Sequence, residues 1–555
     1  MSVDVISRDI FQHELIGIAE EMSVSLRHSA FSSIIWDMYD YACGLMLPNG
    51  DMISQAQTIP AQLGVMPTAV HHMFDVFPVD TWVDGDIIVC NDPYRGCTHT
   101  PDICLFSPVY VDGEIVAISS TIAHHIDVGG KVPGTEAADN KEIFEEGLVL
   151  PPVKIMEAGK PVKAIFDIIA NNVRDPRASA GDLRAQIAGC RTGERRIRDL
   201  CKRYGIEGFK ELAAGCLDYS ETYISRSIED IGDRVSEAVV LIEDEMASEE
   251  PIRLQLKTWI ENGRLVLDFG GSSEQRANGL NCPISSTISM VHFGVKAIFA
   301  SDLPQNSGIN RPLDIRVPDG CVLSPIHPAA VSARHITENA VSDLVIKTLS
   351  PLSPETASGG AHSSFPTFVA GGVDDRAGSV KPGEPAQYSM ISDMLGGGMG
   401  GYDGHDGMSA IDTHGGNCQL LSAEIMEAMS PVRVIRSELV PSSGGDGKYR
   451  GGLAIRRDYE ILSSAAVVSG YLQQSTDETA SWGFNGGEGG GKSLALLNPD
   501  TNHETNLRSK FVGLELKKGE RFRLQAAGGG GWGKPEERSQ DLIDRDIEEG
   551  YVSSV

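Results

Sequence analysis

The chain has 555 residues, 41% of them apolar, enough to bury a large core and to divide into roughly two to four domains. Against 47 Lys plus Arg stand 77 Asp plus Glu, a formal charge of −30 that disfavours nucleic acid and anionic membrane surfaces as partners. No apolar run approaches the ~20 residues that span a bilayer. The N-terminal MSVDVISRDIFQHEL lacks the parts of a signal peptide, and the ten cysteines include no CxxC pair, so the expectation is a cytoplasmic protein with reduced, mostly buried thiols.

In chain order, Ile10 to about Ser33 carries apolar residues at helical spacing (Leu15, Ile18, Ala19, Met22, Leu26) with Glu20 and Glu21 opposite, predicting an amphipathic helix. Ile34 to about Pro48 alternates and ends in Pro-Asn-Gly, predicting a strand, a hairpin turn and DMISQAQTIP as the return strand; Asp37 and Asp40 sit on or beside the first strand. Further strands are expected in DTWVDGDIIVCNDP and on either side of Asp112-Gly113, from about Ile103 to Tyr110 and Glu114 to Ile122.

The run NDPYRGCTHTPD before that last hairpin and AHHIDVGG after it hold His99, Asp102, His124, His125 and Asp127. At about 3.3 Å per residue, equal arms fold the residues before the first strand against those after the second. His99, Asp102 and His124 therefore converge, and an imidazole and carboxylate set suits zinc, manganese or iron. Asp40, on a neighbouring strand, is the candidate fourth ligand. Adjacent strand residues face opposite ways, so only one of the two histidines points readily into the site. His125 and Asp127 read first as groups capping turns and bonding backbone amides.

From Glu136 to about Val162 the chain is loop-like, with Glu145, Glu146 and a double proline as landmarks. FDIIANNV to CKRYG then reads as helix, loop and long helix; Arg174 and Arg177 near Asp182 are read as surface pairs rather than a cleft. A further helix is predicted from Glu207 to about Glu250, ending at Pro251, where IEDEMASEEP marks a domain boundary. Beyond it come a hairpin around Asn262-Gly263 and a loop passing into a helix within NGLNCPISSTISMVHFGVKAIFA.

The second half is glycine-rich. LGGGMGGYDGHDGMSAIDTHGGNC sets Asp403, His405, Asp406, Asp412 and His414 among glycines, either as a second metal or substrate loop or as tight turns over a sheet. GGEGGGKS at Gly486–Ser493 matches the phosphate-loop pattern, but neither a buried strand precedes it nor a helix follows, so nucleotide binding there is set aside. AAGGGGWGKPEER, from Ala526, reads as a segment allowing close backbone packing.

The ordered runs LIGIAEEMSVSLRHSAFS, DYACGLM, GDIIVCNDPYRGCTHTPD, AHHIDVGG, EIFEEGL, LPPVKI, GDLRAQIAG, YRGGLAIRRDY and GGGGWGKPEER resemble the hydantoinase B family, across nearly the whole chain. That family includes the B subunits of ATP-dependent hydantoinases, 5-oxoprolinases and lactamases and related subunits of acetone and acetophenone carboxylases. The resemblance implies an actin-like partner A subunit that holds ATP and phosphorylates the substrate oxygen, in an A2B2 heterotetramer, with a divalent metal (Zn, Mn or Fe) on this chain. It implies Asp40, His99, Asp102 and His124 as metal ligands; next to such a metal, the chemistry of the reaction makes His125 or Asp127 the expected orienter or proton acceptor. The run WDMY, Trp36 to Tyr39, departs from the charged Glu-Arg pair of hydantoinase and oxoprolinase relatives.

These readings lead to an α+β protein with an N-terminal metal-binding catalytic region (1–250), a β-rich, Gly-rich C-terminal region (251–525) and a C-terminal Gly-rich tail (526–555). The expected activity is hydrolysis of a cyclic amide activated by phosphorylation on the partner. The alternatives are a ketone carboxylase subunit, which would need bicarbonate, and a structural subunit, which would need no metal.

Overall fold

The computed structural model describes residues 4–246, 250–376, 379 and 386–552. It is a mixed helix and sheet protein. Its first layer is a seven-stranded sheet made of β1 (Tyr41–Met46), β2 (Met52–Gln55), β3 (Ile87–Cys90), β4 (Asp102–Val111), β5 (Glu114–His124), β6 (Val153–Glu157) and β7 (Lys160–Pro161), in the order β2-β1-β5-β4-β3-β6-β7. The Asp112-Gly113 turn, with φ of 50° and 87°, closes the β4–β5 hairpin as the sequence predicts.

Side chains alternate between the two faces of this sheet. On β1, Tyr41, Cys43 and Leu45 enter a core shared with α1 (Val5–Ser29), whose Phe11, Leu15, Ile18, Met22 and Leu26 are buried against it. Ala42 and Met46 turn the other way and meet Leu63, Met66 and Val70 of α3 (Pro60–Val76). The helix α1 begins at Val5 rather than Ile10 because the Asp4 carboxylate accepts the Ser7 amide at 3.0 Å and caps it. The strand expected from Ile34 starts at Tyr41, since a one-turn helix α2 (Ser33–Trp36) and a left-handed Tyr39 (φ 64°) intervene.

Two helices follow the sheet, α4 (Lys163–Asn172) and α5 (Pro176–Glu229), the latter broken at Gly205 (φ 71°) between the two predicted helices. The second of these ends at Glu229 and not near Glu250. Gly232 (φ 61°) turns the chain, and the apolar run Ala238–Ile242 lies in β8 (Ser236–Ile242), paired to β9 (Ile252–Glu261). The charged run expected as a boundary thus connects two paired strands; its residues 247–249 lie outside the described residues. Strand β10 (Arg264–Asp268) follows the Asn262-Gly263 turn, and β11 (Leu313–Arg316) completes the sheet β11-β10-β9-β8. Against it pack α6 (Ile284–Phe299) and α7 (Arg334–Leu349). Among the described residues no helix is long and apolar enough to cross a membrane.

Two further sheets form the C-terminal half. One orders Tyr388–Met394, Thr367–Val373, Ala465–Tyr471 and Lys510–Lys517; the other includes Val432–Leu439, Ile455–Ile461 and Arg521–Gln525. Between them lies a bundle of glycine-rich chains around residues 527–532. Gly398 and Gly401 donate to the carbonyls of Ala527 and Gly530, while Gly528 and Gly531 donate to Gly491 and Glu488, and Gly529 and Trp532 to Gly452 and Tyr449. Each neighbour is met every third residue, the repeat of a polyproline II chain, which has three residues per turn and no internal hydrogen bonds. Such contact leaves no room for side chains: a Cβ on Gly528 would lie 1.7 Å from the Ser443 carbonyl oxygen, and one on Gly452 1.8 Å from that of Met408.

The phosphate-loop-like run belongs to this bundle. Ser493 donates to the Gln473 carbonyl at 2.6 Å, Lys492 pairs with Asp477, and the strand Leu494–Leu497 follows instead of a helix. Because only backbone opposes a new methyl group there, Gly528→Ala is expected to cost more than about 4 kcal/mol, the extreme of single substitutions. Thermal unfolding checks this; a midpoint within a few degrees of the parent would show that the bundle yields.

Candidate metal centre

The alternation of the first sheet decides which polar residues meet. His124 pairs with Asp102 across β5 and β4, and on its other side its amide donates to the Asp40 carbonyl at 3.1 Å. Residues directly opposite in neighbouring strands share a face. Asp40, His124 and Asp102 therefore form one row on the α3 side, with His99 folded over it by the Asp102 amide bond to the His99 carbonyl. His99, Asp102 and His124 each offer a ligand atom within 4.8 Å of the others, all buried. Asp40 lies outside that tight group. Gln62 of α3 links it in, its amide nitrogen donating to Asp40 at 2.8 Å and to Asp102 at 2.9 Å.

The same alternation carries His125 to the opposite face, where its Nε2 meets Gln186 of α5 at 3.1 Å. Asp127 accepts the amides of Gly129, Gly134 and Arg174 and the Arg174 guanidinium at 2.7 Å. Neither side chain is brought to the cluster, and both are held by local structure. Arg174 is thus paired with Asp127; Asp182 instead accepts the amides of Phe31 and Ser32, and Arg177 is exposed.

Other residues take the vacant sides of the cluster. Glu136 Oε1 lies 3.2 Å from His99 Nδ1 and 3.4 Å from His124 Nε2, and its Oε2 accepts the Tyr471 hydroxyl. From α7, Arg334 reaches Asp102 at 3.0 Å and Glu338 at 3.0 Å, and His335 forms a second group with His99 and Glu136 within 4.8 Å. Sequence reasoning passed over this helix because it has no apolar stripe. Its polar residues point all round and nearly all are buried, and that absence of amphipathic pattern is itself the usable signal. Glu136 opens a loop, where periodicity carries no information.

These groups line a chamber of about 60 Å³, whose remaining walls include Met38, Phe365, Gly415, Gly416 and Cys418. Of the WDMY run only Met38 lines it; Trp36 donates to the Phe31 carbonyl and Tyr39 stacks under Arg27. In the glycine-rich 395–418 segment, Asp403 and His405 are exposed and Asp406 pairs with Arg538 and Arg545. Only the end of that segment reaches the chamber.

Charge in the chamber is unbalanced. Asp40, Glu136 and Glu338 line the chamber with Asp102 beside it, and among the described residues they are answered by the Arg334 guanidinium and by His124, whose pKa, against burial, is raised to about 9 by its bond to Glu136 and the charges of Asp40 and Asp102. Burial, aided by the Asp102 charge and against the pull of His124, lifts Asp40 to about 7. Burial opposes ionisation of Asp102 as well, but His99, His124 and Arg334 outweigh it and hold its carboxyl well below the usual range. Glu136 is likewise drawn to about 2, against burial, by its bond to His124 and the charge of His99. His124 Nδ1 and His335 Nε2 are buried without a hydrogen-bond partner among the described residues, and His99 Nε2 lies 3.3 Å from an Asp102 oxygen. Excess carboxylate and orphaned imidazole nitrogens together fit a divalent cation.

A buried chamber where imidazoles and carboxylates converge is the kind of site at which enzymes hold reactive groups. A model of the hydantoinase B/oxoprolinase family matches residues 4–535, and the chain belongs to that family. An uncharacterised protein of Methanocaldococcus jannaschii is 33% identical over 99% of this chain and 94% of its own length. A Pseudomonas protein, assigned as the B component of a D-/L-hydantoinase, is 29% identical over 99% of this chain and 93% of its own. The 5-oxoprolinase PfmaA of Pestalotiopsis fici is 30% identical over 95% of this chain, which spans 41% of that longer protein. Among solved structures, the ATP-dependent caprolactamase of Pseudomonas jessenii has a TM-score of 0.89 at 26% identity, covering 100% of this chain and 95% of that one. Nucleotide-free acetone carboxylase shares the fold at a TM-score of 0.89 and 19% identity, covering 99% and 78%.

Behind the centre, Glu146 is buried and accepts the amides of Val331 and Ser332 at 2.6 and 2.8 Å, tying the strap before α7 to the loop that carries His99. Burial raises its pKa from 4.5 to about 8 despite those bonds. The folded protein then holds a proton that the unfolded chain has released, so this group's favourable contribution is full below pH 4.5 and lost as pH rises through 8. Glu146→Gln is expected to remove that loss. Denaturant titrations at about pH 5 and pH 8 should show the parent losing stability relative to the variant, on the order of a few kcal/mol; parallel curves would place the Glu146 proton elsewhere.

Proposed function

We propose that this chain is the metal-bearing B subunit of an ATP-dependent cyclic amide hydrolase, acting with a hydantoinase A-like subunit in an A2B2 assembly. The observation that carries the reading is the buried row Asp40, His124 and Asp102 with His99 over it, in a family whose members carry the names of amide hydrolases. Asp40, His99, Asp102 and His124 would hold zinc, manganese or iron, which when bound supplies Lewis acidity and draws the pKa of a water toward neutrality.

The chain's own residues do the remaining work. For His99 to offer its Nε2 electron pair, Nδ1 must carry the proton, and Glu136 Oε1 and the Ser332 carbonyl at 3.3 Å both accept from that nitrogen. Tyr471 holds Glu136 in turn, making Glu136 a positioning residue. Gln62 keeps the Asp40 and Asp102 carboxylates one amide apart. His335 Nε2, unpartnered among the described residues, faces the chamber that His125 and Asp127 are turned away from, and burial lowers its pKa to about 3, so it would serve as a neutral hydrogen-bond acceptor orienting the attacking water.

The substrate chemistry is consistent with such a site. Phosphorylation of the amide oxygen on the partner turns a resonance-stabilised carbonyl into an imidate-like electrophile. Water adds to its carbon, the ring C–N bond breaks as the nitrogen gains a proton to leave an acyl phosphate, and a second water releases phosphate and the ring-opened carboxylate. The shared fold with acetone carboxylase keeps a second reading in view, in which the partner activates a ketone and carbon dioxide is the electrophile.

Replacing His99 by Ala should abolish bound metal, measured by elemental analysis, and reduce ATP-dependent amide turnover about a thousandfold or more, with an unchanged circular dichroism spectrum. Full turnover by that variant would defeat the reading. A panel of hydantoin, 5-oxoproline, ε-caprolactam and acetone, with and without bicarbonate, separates the two chemistries: ring opening without bicarbonate supports the hydrolase, and ketone consumption only with bicarbonate supports the carboxylase.

A further inference from the structure

The chamber around the metal cluster, about 60 Å³, has room for a few waters at roughly 10–15 Å³ each and none for a ring of five to seven atoms. A ring can meet the cluster only if part of the wall moves. Most of the wall is fixed, since its carboxylates and imidazoles hold one another and are held in turn by Gln62, Arg334 and Tyr471. Phe365 differs from these. It lines the chamber and is half-buried, in a run from Ala361 to Thr367 whose other members are all buried.

The backbone at Phe365 is strained. Its φ of 42° lies in the left-handed region, which is uncommon for any side chain and an outlier for one this bulky. It also precedes Pro366, whose ring favours an extended conformation in the residue before it. Two local rules are broken at one position, and such conflicts gather where function requires them. The flanking chain does not give way: the Ser364 carbonyl accepts the Gln473 amide at 2.8 Å and the Pro366 carbonyl accepts the Leu395 amide at 2.9 Å. A glycine would follow the same path without steric cost. What phenylalanine adds is a phenyl ring presented to the chamber, with its centre 5.3 Å from that of the His335 imidazole and its plane tilted by 35°.

A phenyl group is a six-membered ring, close in size to the rings of cyclic amides. Withdrawing it joins a benzene-sized space to the chamber, and a cavity of roughly 150 Å³ is enough to hold benzene. We propose that Phe365 is a built-in plug: its phenyl ring occupies the place that the ring of the activated amide takes beside the metal centre, and its withdrawal admits that ring. This rests on the cyclic-amide reading above and adds which residue yields and so selects for ring size. Because the carbonyls on either side are anchored, the movement is confined to the one side chain. The entering ring then replaces the phenyl ring against His335, the acceptor that orients the water.

The test uses the complex with the ATP-using partner and follows ring opening, ADP release and bound metal with hydantoin, 5-oxoproline and ε-caprolactam as probes. Phe365→Ala removes the plug, and toluene is then supplied as a loose phenyl ring. At saturation toluene should cut ring opening by that variant about tenfold while ADP release continues, and should leave the parent, already plugged, unchanged. Phe365→Trp is the second variant. Its larger plug should slow ring opening about tenfold or more, ε-caprolactam most of all, and raise the ADP released per ring opened, with bound metal kept. If toluene restores Phe365→Ala or leaves it unchanged, the phenyl ring is a wall and not a plug, and the proposal falls. Where that variant does not fold, opening of all three rings by Phe365→Trp at the parent rate overturns it equally. Either result leaves the hydrolase reading standing. Consumption of acetone only with bicarbonate, and opening of no amide by the parent, overturns that reading and with it the ring.

Discussion

Uncompensated negative charge at the centre of the molecule is the constraint around which the rest is organised. Four carboxylates converge where burial removes water, and among the described residues only the Arg334 guanidinium and the His124 imidazole answer them. Such an arrangement is costly in a folded protein unless a cation completes it. Every neighbouring element contributes to containing that cost: the first sheet fixes Asp40, Asp102 and His124 in a row, α3 lays the Gln62 amide across two of them, and α7 spends its first turn on Arg334 and Glu338. The helix α7 tolerates polar side chains on all sides because each faces either this centre or another fixed partner, as Trp482 does for Asp343.

The glycine bundle is the mechanical counterpart of this centre. Chains that pack backbone to backbone bring their hydrogen bonds without the bulk of side chains, and the bundle anchors the ends of the segments that roof the chamber. His362 illustrates the link: its amide bonds Gly398, and its ring bonds the Ile411 carbonyl just upstream of Gly415 and Gly416 in the chamber wall.

Much of the site was readable because it is local. The β4–β5 hairpin places His124 opposite Asp102 through a turn written as Asp-Gly, and two-residue periodicity alone separates His124 from His125. The neighbouring strand suggested Asp40 before the family resemblance did, and it reaches the cluster through Gln62 rather than directly. What escaped was long-range: Glu136 in a loop and Arg334, His335 and Glu338 on a helix without a stripe, the latter three meeting the His99 region only after more than two hundred residues of intervening chain have folded. The predicted helix over Glu207–Glu250 overran for a related reason. An acidic, apolar stretch suits either structure, and the pairing of β8 with β9, invisible to local pattern, decided it.

The three-residue repeat of the glycine bundle also sets a rule for how this chain can change length. In the central segment, consecutive residues address three different neighbours, so losing or gaining one residue there rotates every later hydrogen bond onto the wrong partner. A helix absorbs such a slip by turning about 100° and a surface loop by bulging. The bundle has neither recourse, since its carbonyls are surrounded by other backbones. Only changes in multiples of three keep its phase, which makes these glycines a reading frame written into the fold.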